Sequence, residues 1–498
     1  MLAAMLESRD AKKTTQVATN KLCRDEPYSF RRAVGRILLV LAQLCGSVYG
    51  VAQTGKFSGE KQSAIDKEVS VFMAAGKVPG LSVAVVEDGA FVWSEGFGMA
   101  DLENSTHATA HTLYRIGSIS KSITATAAMQ LWEQGKLNLD APVQTYCPLF
   151  PQKNWPITTR ELLGHVGGIR YYHVPEIPYS KSESDPEVGN TRHFDNGINA
   201  GLTFFAGDPL VAKPGTHFTY STQGYTLVGC AIEGASGEKY AGFVLEHVLR
   251  PAGMLETQPD DRFAIIPMRT HFYSKDASGA VINAEFLDAS YKLPGGGWLS
   301  SAPDLARFEV AILGDRLVRP TTRDLMWTPQ IPSDGLGRMV YGLGWQAGTA
   351  GGVAHVGHGG SQQGASAMML IAPERKAGVV VLTNSDAAGA SALAPRLLRI
   401  VLGLASEHHE VAAVDPALFD RYIGDYAMSS FTMKIVREGN SLFVLTNGKK
   451  IEMFPESRRD FFLKTADAQI TFIADGEGPA KEFVLHEGGF DLLAARVP

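Results

Sequence analysis

Residues 115–137 read RIGSISKSITATAAMQLWEQGKL, and they set Ser118 and Lys121 one helical turn apart at the head of an apolar run. Residues three apart on a helix share a face, so the hydroxyl and the amine stand side by side. A lysine turned into an apolar interior is costly unless it has a partner or a task. Gly117 permits a tight turn into the helix, and Gly135 marks its stop. The helix start aims backbone N–H groups and a partial positive charge at whatever Ser118 holds.

A Ser-x-x-Lys spacing recurs by chance in a chain of 498 residues, so the context has to come from elsewhere. Two later stretches supply it. GTHFTYSTQGYTLVGCAIEGASG puts Tyr220 ahead of a second apolar helix, and HVGHGGSQQGASAMML puts His358-Gly359-Gly360 at the start of a strand. A serine hydroxyl is a weak nucleophile until a neighbouring base takes its proton. A desolvated lysine, with its pKa lowered, serves as that base or holds a tyrosine as one. A phenol titrates near pH ~10 in water, so Tyr220 needs nearby cations to act as a phenolate. The residues alone leave open which of Lys121 and Tyr220 is the base.

Ser118-Ile119-Ser120-Lys121, Tyr220-Ser221-Thr222 and His358-Gly359-Gly360, in this order, resemble the three motifs of the serine β-lactamase and penicillin-binding-protein superfamily, in its class C-like branch. TTRELLGHVGGI, KPGTHFTYSTQGYTLVG, YKLPGGGWLSSAPDLARF and YGLGW are similar to that branch as well, so the resemblance spans residues 60 to 400. NTRHF and GDPLVAKPG resemble its mitochondrial, peptidase-type members. The resemblance implies an α/β fold with an antiparallel sheet and an all-helical region. It also implies a serine hydrolase that forms an acyl-enzyme on an ester or amide, most readily a peptide. Ser118, Lys121 and Tyr220 would be catalytic, and Thr222, His358, Gly359, Gly360 and Ser361 would bind substrate. The backbone N–H groups of Ser118 and Ser361 would form the oxyanion hole, a usually dominant electrostatic contribution. No metal and no cofactor is implied.

Two departures bear on the substrate. Thr222 stands where the branch has an asparagine, and a hydroxyl cannot offer an amide's paired donor and acceptor. The third motif lacks the lysine and threonine that grip a β-lactam carboxylate, and losing such charge-assisted contacts predicts poor penicillin binding. His358, protonated below about pH 6.5, would restore part of that grip. A β-lactamase proper or a D-alanyl carboxypeptidase is the alternative, and a non-catalytic binding or self-assembling module is the second. No Gly-x-Ser-x-Gly elbow favours an α/β-hydrolase, and no His/Asp/Glu spacing favours a metallohydrolase.

Around these motifs the chain is organised in three parts. Residues 1–52 read as an N-terminal extension and secretory signal, with Arg31, Arg32 and Arg36 ahead of an apolar run from Ile37 to Leu44 and small residues at Gly50 and Ala52. The run is too short to span a bilayer, which points to a periplasmic or secreted protein with no stable membrane span. Residues 56–405 read as the hydrolase domain, with a hairpin at Asp88-Gly89 and another around Pro373–Lys376 joining in one antiparallel sheet. Ser301 reads as a helix N-cap, and KSESDPEVGN as a surface loop. Residues 412–498, past a linker holding His408 and His409 that reads as solvated, read as short strands with EGN, NG, DGEG and EGG turns: a small β-barrel or sandwich that folds apart from the catalytic machinery, the barrel being what the family resemblance implies. His165 reads as structural. Cys147 and Cys230 read as buried thiols, with a bridge as the alternative. Net charge is −6 with no basic run, so the expected partner is a small-molecule or peptide substrate and not nucleic acid. The oligomeric state is not legible.

Overall fold

GLSVAVVE and AFVWSEGFGMAD turn back on each other at Asp88 and Gly89, both at positive φ (50° and 74°), as a two-residue hairpin with right-handed strand twist requires. They form β1 (Gly80–Glu87) and β2 (Ala90–Asp101). With β3 (Thr106–His107), β4 (Gln346–Ala350), β5 (Val353–Gln362), β6 (Ala365–Ala372) and β7 (Ala377–Thr383) they make a seven-stranded sheet. Its order is β3-β2-β1-β7-β6-β5-β4, antiparallel throughout. The early and late hairpins meet at β1 and β7, from Leu81 opposite Thr383 to Val86 opposite Gly378. The computed structural model describes residues 57–498 apart from 173–196, 331–339, 351, 406–408, 429–431, 447–448, 464–467, 475, 477, 489 and 498. The expected signal segment and the KSESDPEVGN loop lie outside the described residues.

Successive side chains of a strand point to opposite faces, and here both faces are covered. Leu81, Val83, Val85, Val379 and Val381 pack under α1 (Gly59–Gly76), while Ala84, Val86, Val380 and Leu382 face the larger core. That core holds α2 (Ser120–Glu133), α3 (Thr222–Ser236) and α4 (Ala302–Leu313), and α5 (Ala394–Val401) joins α1 on the opposite face. A helix that is apolar all round belongs inside, and α2 is buried from Ser120 through Met129. Ser301 caps α4, accepting the Asp304 N–H at 3.3 Å.

The cysteines correct an expectation. Cys147 and Cys230 are disulfide-bonded, with Cα atoms 5.5 Å apart. Eighty-three residues separate them in sequence, so only tertiary packing brings them together. The bridge ties α3 to the segment following Val143–Thr145.

The C-terminal strands, from Gly424–Ala427 to Phe490–Arg496, form a closed eight-stranded barrel, its first and last strands paired at Tyr426–Arg496 and Ala427–Ala495. Its own core includes Tyr426, Ile435, Val444, Ile470 and Phe483. Phe490 instead packs into the core beneath α1 and α5, with its ring 5.8 Å from that of His355. His409 is not solvated as expected: its Nδ1 lies 3.2 Å from Glu456 and its ring stacks on Phe462. Residues 55–498 form one compact unit. No helix among the described residues is long and apolar enough to cross a membrane.

Candidate active site

The chain enters α2 through a single 3₁₀ turn, Gly117–Ile119. Gly117 has φ +48°, and a Cβ there would sit 2.7 Å from the backbone nitrogen of Ser361. A Cβ on Gly360 would lie 2.0 Å from the carbonyl oxygen of Ile116. Two glycines therefore let the end of β5 press against the turn that presents Ser118. Arg115, just ahead of it, is fixed by a buried ion pair with Asp260 (2.7 Å) and a hydrogen bond to the Gln363 carbonyl (3.0 Å).

Lys121 is fully buried. Its Nζ lies 2.9 Å from Ser118 Oγ, 3.3 Å from Thr222 Oγ1 and 2.7 Å from the carbonyl oxygen of Gly295. Burial, and then the charge of Lys292, holds this amine well below the ordinary lysine range. A neutral amine has two N–H donors and one lone pair. A carbonyl only accepts, so Gly295 O takes one donor, and the lone pair falls to one of the two hydroxyls, Ser118 Oγ or Thr222 Oγ1.

Tyr220 precedes the N-cap of α3, Ser221, whose hydroxyl accepts the Gly224 N–H at 2.9 Å. The Tyr220 hydroxyl hydrogen-bonds Ser118, and its ring centroid lies 4.8 Å from Lys121 Nζ. Burial pushes this phenol well above 10, with Tyr171 adding to the rise. Tyr220 thus keeps its proton, since loss of solvent disfavours the phenolate.

His358 lies in the later half of β5, not at a strand start as its sequence neighbours suggest. The ring is buried. Nδ1 donates to the Gly359 carbonyl at 2.6 Å, which leaves Nε2 to accept from the Tyr341 hydroxyl at 2.9 Å. Burial, and then Lys121, lowers its pKa to about 3. The expectation that mild acid charges His358 is therefore overturned: no partner anion offsets the loss of solvent. Gly359 N–H points away from β6 and donates to Gln346 Oε1 at 3.0 Å. Two residues on, the same strand parity aims the N–H of Ser361 toward the Gly117 turn, beside the N–H of Ser118. All of the motif residues read from the sequence thus gather around the head of α2.

Three groups in the cleft carried no role in the sequence reading. Tyr341 belongs to the YGLGW stretch and holds His358. His165, from LLGHVGGI, packs its ring 4.3 Å from that of Tyr220 and accepts the Ser221 N–H on Nδ1 at 3.1 Å. It is buried and held neutral by desolvation. Lys292 precedes the short helix Leu293–Gly296 that supplies Gly295 O. Their stretches carry family resemblance, but nothing in local spacing ties them to Ser118.

Comparison with known proteins fits this geometry. A family model described as beta-lactamase matches residues 65–402. The chain belongs to the beta-lactamase family. A second model, a domain of unknown function (DUF3471), matches residues 408–495. This family member is 32% identical to the Mus musculus serine beta-lactamase-like protein LACTB, mitochondrial, over 386 residues, 59% of this chain and 70% of the relative. The octameric penicillin-binding protein homologue from Pyrococcus abyssi superposes with a TM-score of 0.62 at 27% identity, covering 87% of this chain and 99% of that one. A D-stereospecific amidohydrolase from Streptomyces sp. gives 0.57 at 26% identity, covering 68% and 97%. Among the described residues, no group of three or more His, Cys, Asp or Glu is arranged to hold a metal.

Proposed function

We propose that the protein is a serine hydrolase that forms an acyl-enzyme on Ser118, acting on esters or amides and most readily on peptide-like substrates. The observation that carries this reading is the amine of Lys121, fully buried and 2.9 Å from Ser118 Oγ with its other two contacts on oxygen. Burying a lysine without a carboxylate partner is costly, and general-base duty gives that cost a function. Lys121 takes the Ser118 proton as Oγ attacks the carbonyl carbon. The N–H groups of Ser118 and Ser361 receive the developing oxyanion. Tyr220, protonated and bonded to the same Oγ, delivers a proton to the departing amine or alkoxide, and Lys121 replenishes it. Water then cleaves the ester by the reverse sequence.

Substrate choice follows from what the third motif lacks. With His358 neutral and Thr222 in place of an amide, β5 offers backbone and no cation to a β-lactam carboxylate. The amide-cleaving activity named for the Streptomyces relative supports amides among the substrates. Export beyond the inner membrane remains part of this reading, and the Cys147–Cys230 bridge supports it, since disulfides persist in oxidising compartments. So does the division into a hydrolase domain at 56–405 and a barrel at 412–498 that takes no part in the chemistry. The test compares kcat/KM for a nitrophenyl ester, a D-alanyl peptide and a chromogenic cephalosporin at pH 6 and pH 8. The ester and the peptide should lead, with no gain for the cephalosporin in acid. A cephalosporin rate above both would make the protein a β-lactamase proper.

A further inference from the structure

The short helix Thr159–Leu163 is anchored by a capping box, in which the side chains of Thr158 and Glu161 each accept the other's backbone N–H. His165 follows it, 2% exposed and at φ +59°. A positive φ is uncommon outside glycine, and an observed strain of this kind points to a function. Here it sets two acceptors of one residue against one short stretch of chain. The His165 carbonyl takes the Thr219 N–H at 2.7 Å, and its ring Nδ1 takes the Ser221 N–H at 3.1 Å. The backbone N–H groups on either side of Tyr220 thus both end on His165. Ser221 is tied to the same segment a second time, its hydroxyl donating to the Arg170 carbonyl at 2.6 Å.

Nδ1 accepts only while it carries no proton, so the ring is the neutral tautomer with its hydrogen on Nε2. Loss of solvent keeps it in that form. Nε2 is buried and has no hydrogen-bond partner among the described residues. The ring centroids of Tyr220, Tyr341 and Tyr225 lie 4.3, 4.7 and 5.2 Å from that of His165. A buried N–H without an acceptor is costly, so an apolar side chain would fill this space better. What the imidazole adds is its hold on the tyrosine. The Tyr220 hydroxyl reaches Ser118, and where it lands depends on the backbone that His165 fixes.

We propose that His165 is a positioning residue for Tyr220: it clamps the backbone on both sides of the tyrosine and packs against its ring, so that the phenol hydroxyl stays on Ser118 Oγ. The inference rests on the reading of Tyr220 as the group that protonates the departing alkoxide or amine. Displacing such a group by about 1 Å costs about a hundredfold in rate. His165 acts through Tyr220, so its loss is felt where that proton is needed. An alkoxide needs it to depart, whereas a nitrophenolate leaves without it.

The test therefore compares ethyl butyrate with nitrophenyl butyrate, and the readout is the ethyl-to-nitrophenyl ratio of kcat/KM at pH 7. His165→Leu should lower this ratio by roughly ten- to a hundredfold, a selective loss that a merely structural role would not produce. His165→Asn should keep the ratio close to wild type, because asparagine also adopts positive φ and its Oδ1 accepts the Ser221 N–H. His165→Gly, which suits the backbone but lacks the acceptor, carries the same comparison if the leucine variant does not fold. An unchanged ratio in folded His165→Leu or His165→Gly overturns the proposal, as does a ratio that His165→Asn lowers equally far. Tyr220→Phe separates this failure from that of the underlying reading. If it leaves the ratio at the wild-type value, or if the wild-type protein cleaves the nitrophenyl ester alone, Tyr220 is not the proton donor and the proposal falls with it. A lowered ratio in Tyr220→Phe beside an unchanged one in His165→Leu rejects the His165 clamp alone.

Discussion

The two walls of the cleft do opposite things with the same degree of burial. At the head of α2, Lys121 is stripped of solvent, which holds its pKa well below the ordinary lysine range, and its Nζ is placed 2.9 Å from Ser118 Oγ. At the end of β5, His358 is stripped of solvent and also left neutral, but both ring nitrogens are spent on Gly359 O and Tyr341. On the proposed mechanism, desolvation readies an amine that faces the Ser118 hydroxyl and silences an imidazole whose nitrogens are already satisfied. On that reading one wall carries the chemistry, and the other contributes backbone N–H groups and the closeness that Gly117 and Gly360 permit.

The largest effect should come from the active wall. Lys121→Met is expected to slow ester turnover by about 10²–10⁴-fold, the range of a positioned general base. Lys121→Arg should not rescue it, because a guanidinium holds its proton. Activity within tenfold of wild type in either variant would break the contrast, leaving Tyr220 as base.

Next comes the anchor of α3, the helix that Tyr220-Ser221-Thr222 opens. Replacing Cys147 and Cys230 by serine should cost about 2–4 kcal/mol of stability, read as a lower denaturation midpoint that reducing agent does not lower further. An unchanged midpoint would mean that the bridge is not formed in solution.

The silent wall should respond weakly. His358→Gln removes one neutral hydrogen bond to Tyr341, a loss of about 0.5–1.5 kcal/mol, so kcat/KM should fall by no more than about tenfold. The pH profile between 5 and 8 should keep its shape, since a group lowered to about 3 does not titrate there. An inflection near pH 6.5 that disappears in the variant would return His358 to the active wall.

Smallest of all should be the effect of the barrel on chemistry. A chain ending near residue 405 loses the burial of Phe490, worth roughly 1.5–3 kcal/mol of stability, and should still be acylated at a rate within a fewfold of the full chain. Loss of acylation in a truncated protein that remains folded would mean that the barrel completes the site.

Much of this was legible in the sequence because it is local. The Asp88-Gly89 turn, the Ser301 cap and the three-residue spacing of Ser118 and Lys121 are all decided within a few residues. Hairpins placed early and late, with helices between them, also carried their meeting in one sheet. What was not legible depends on neighbours distant in sequence. Cys147 and Cys230 sit in no recognisable spacing and pair only through packing. His358 has an ordinary sequence context and loses its basicity through the enclosing core and then Lys121.

The central claim is that burial of Lys121 makes Ser118, and no other serine, the nucleophile. Its most direct test is to treat the full chain with a fluorophosphonate at pH 7 and locate the adduct by peptide mass spectrometry. The account predicts a single adduct on the peptide carrying Ser118, absent from a folded Ser118→Ala protein. An adduct on another serine, or equal labelling of Ser118→Ala, would contradict it.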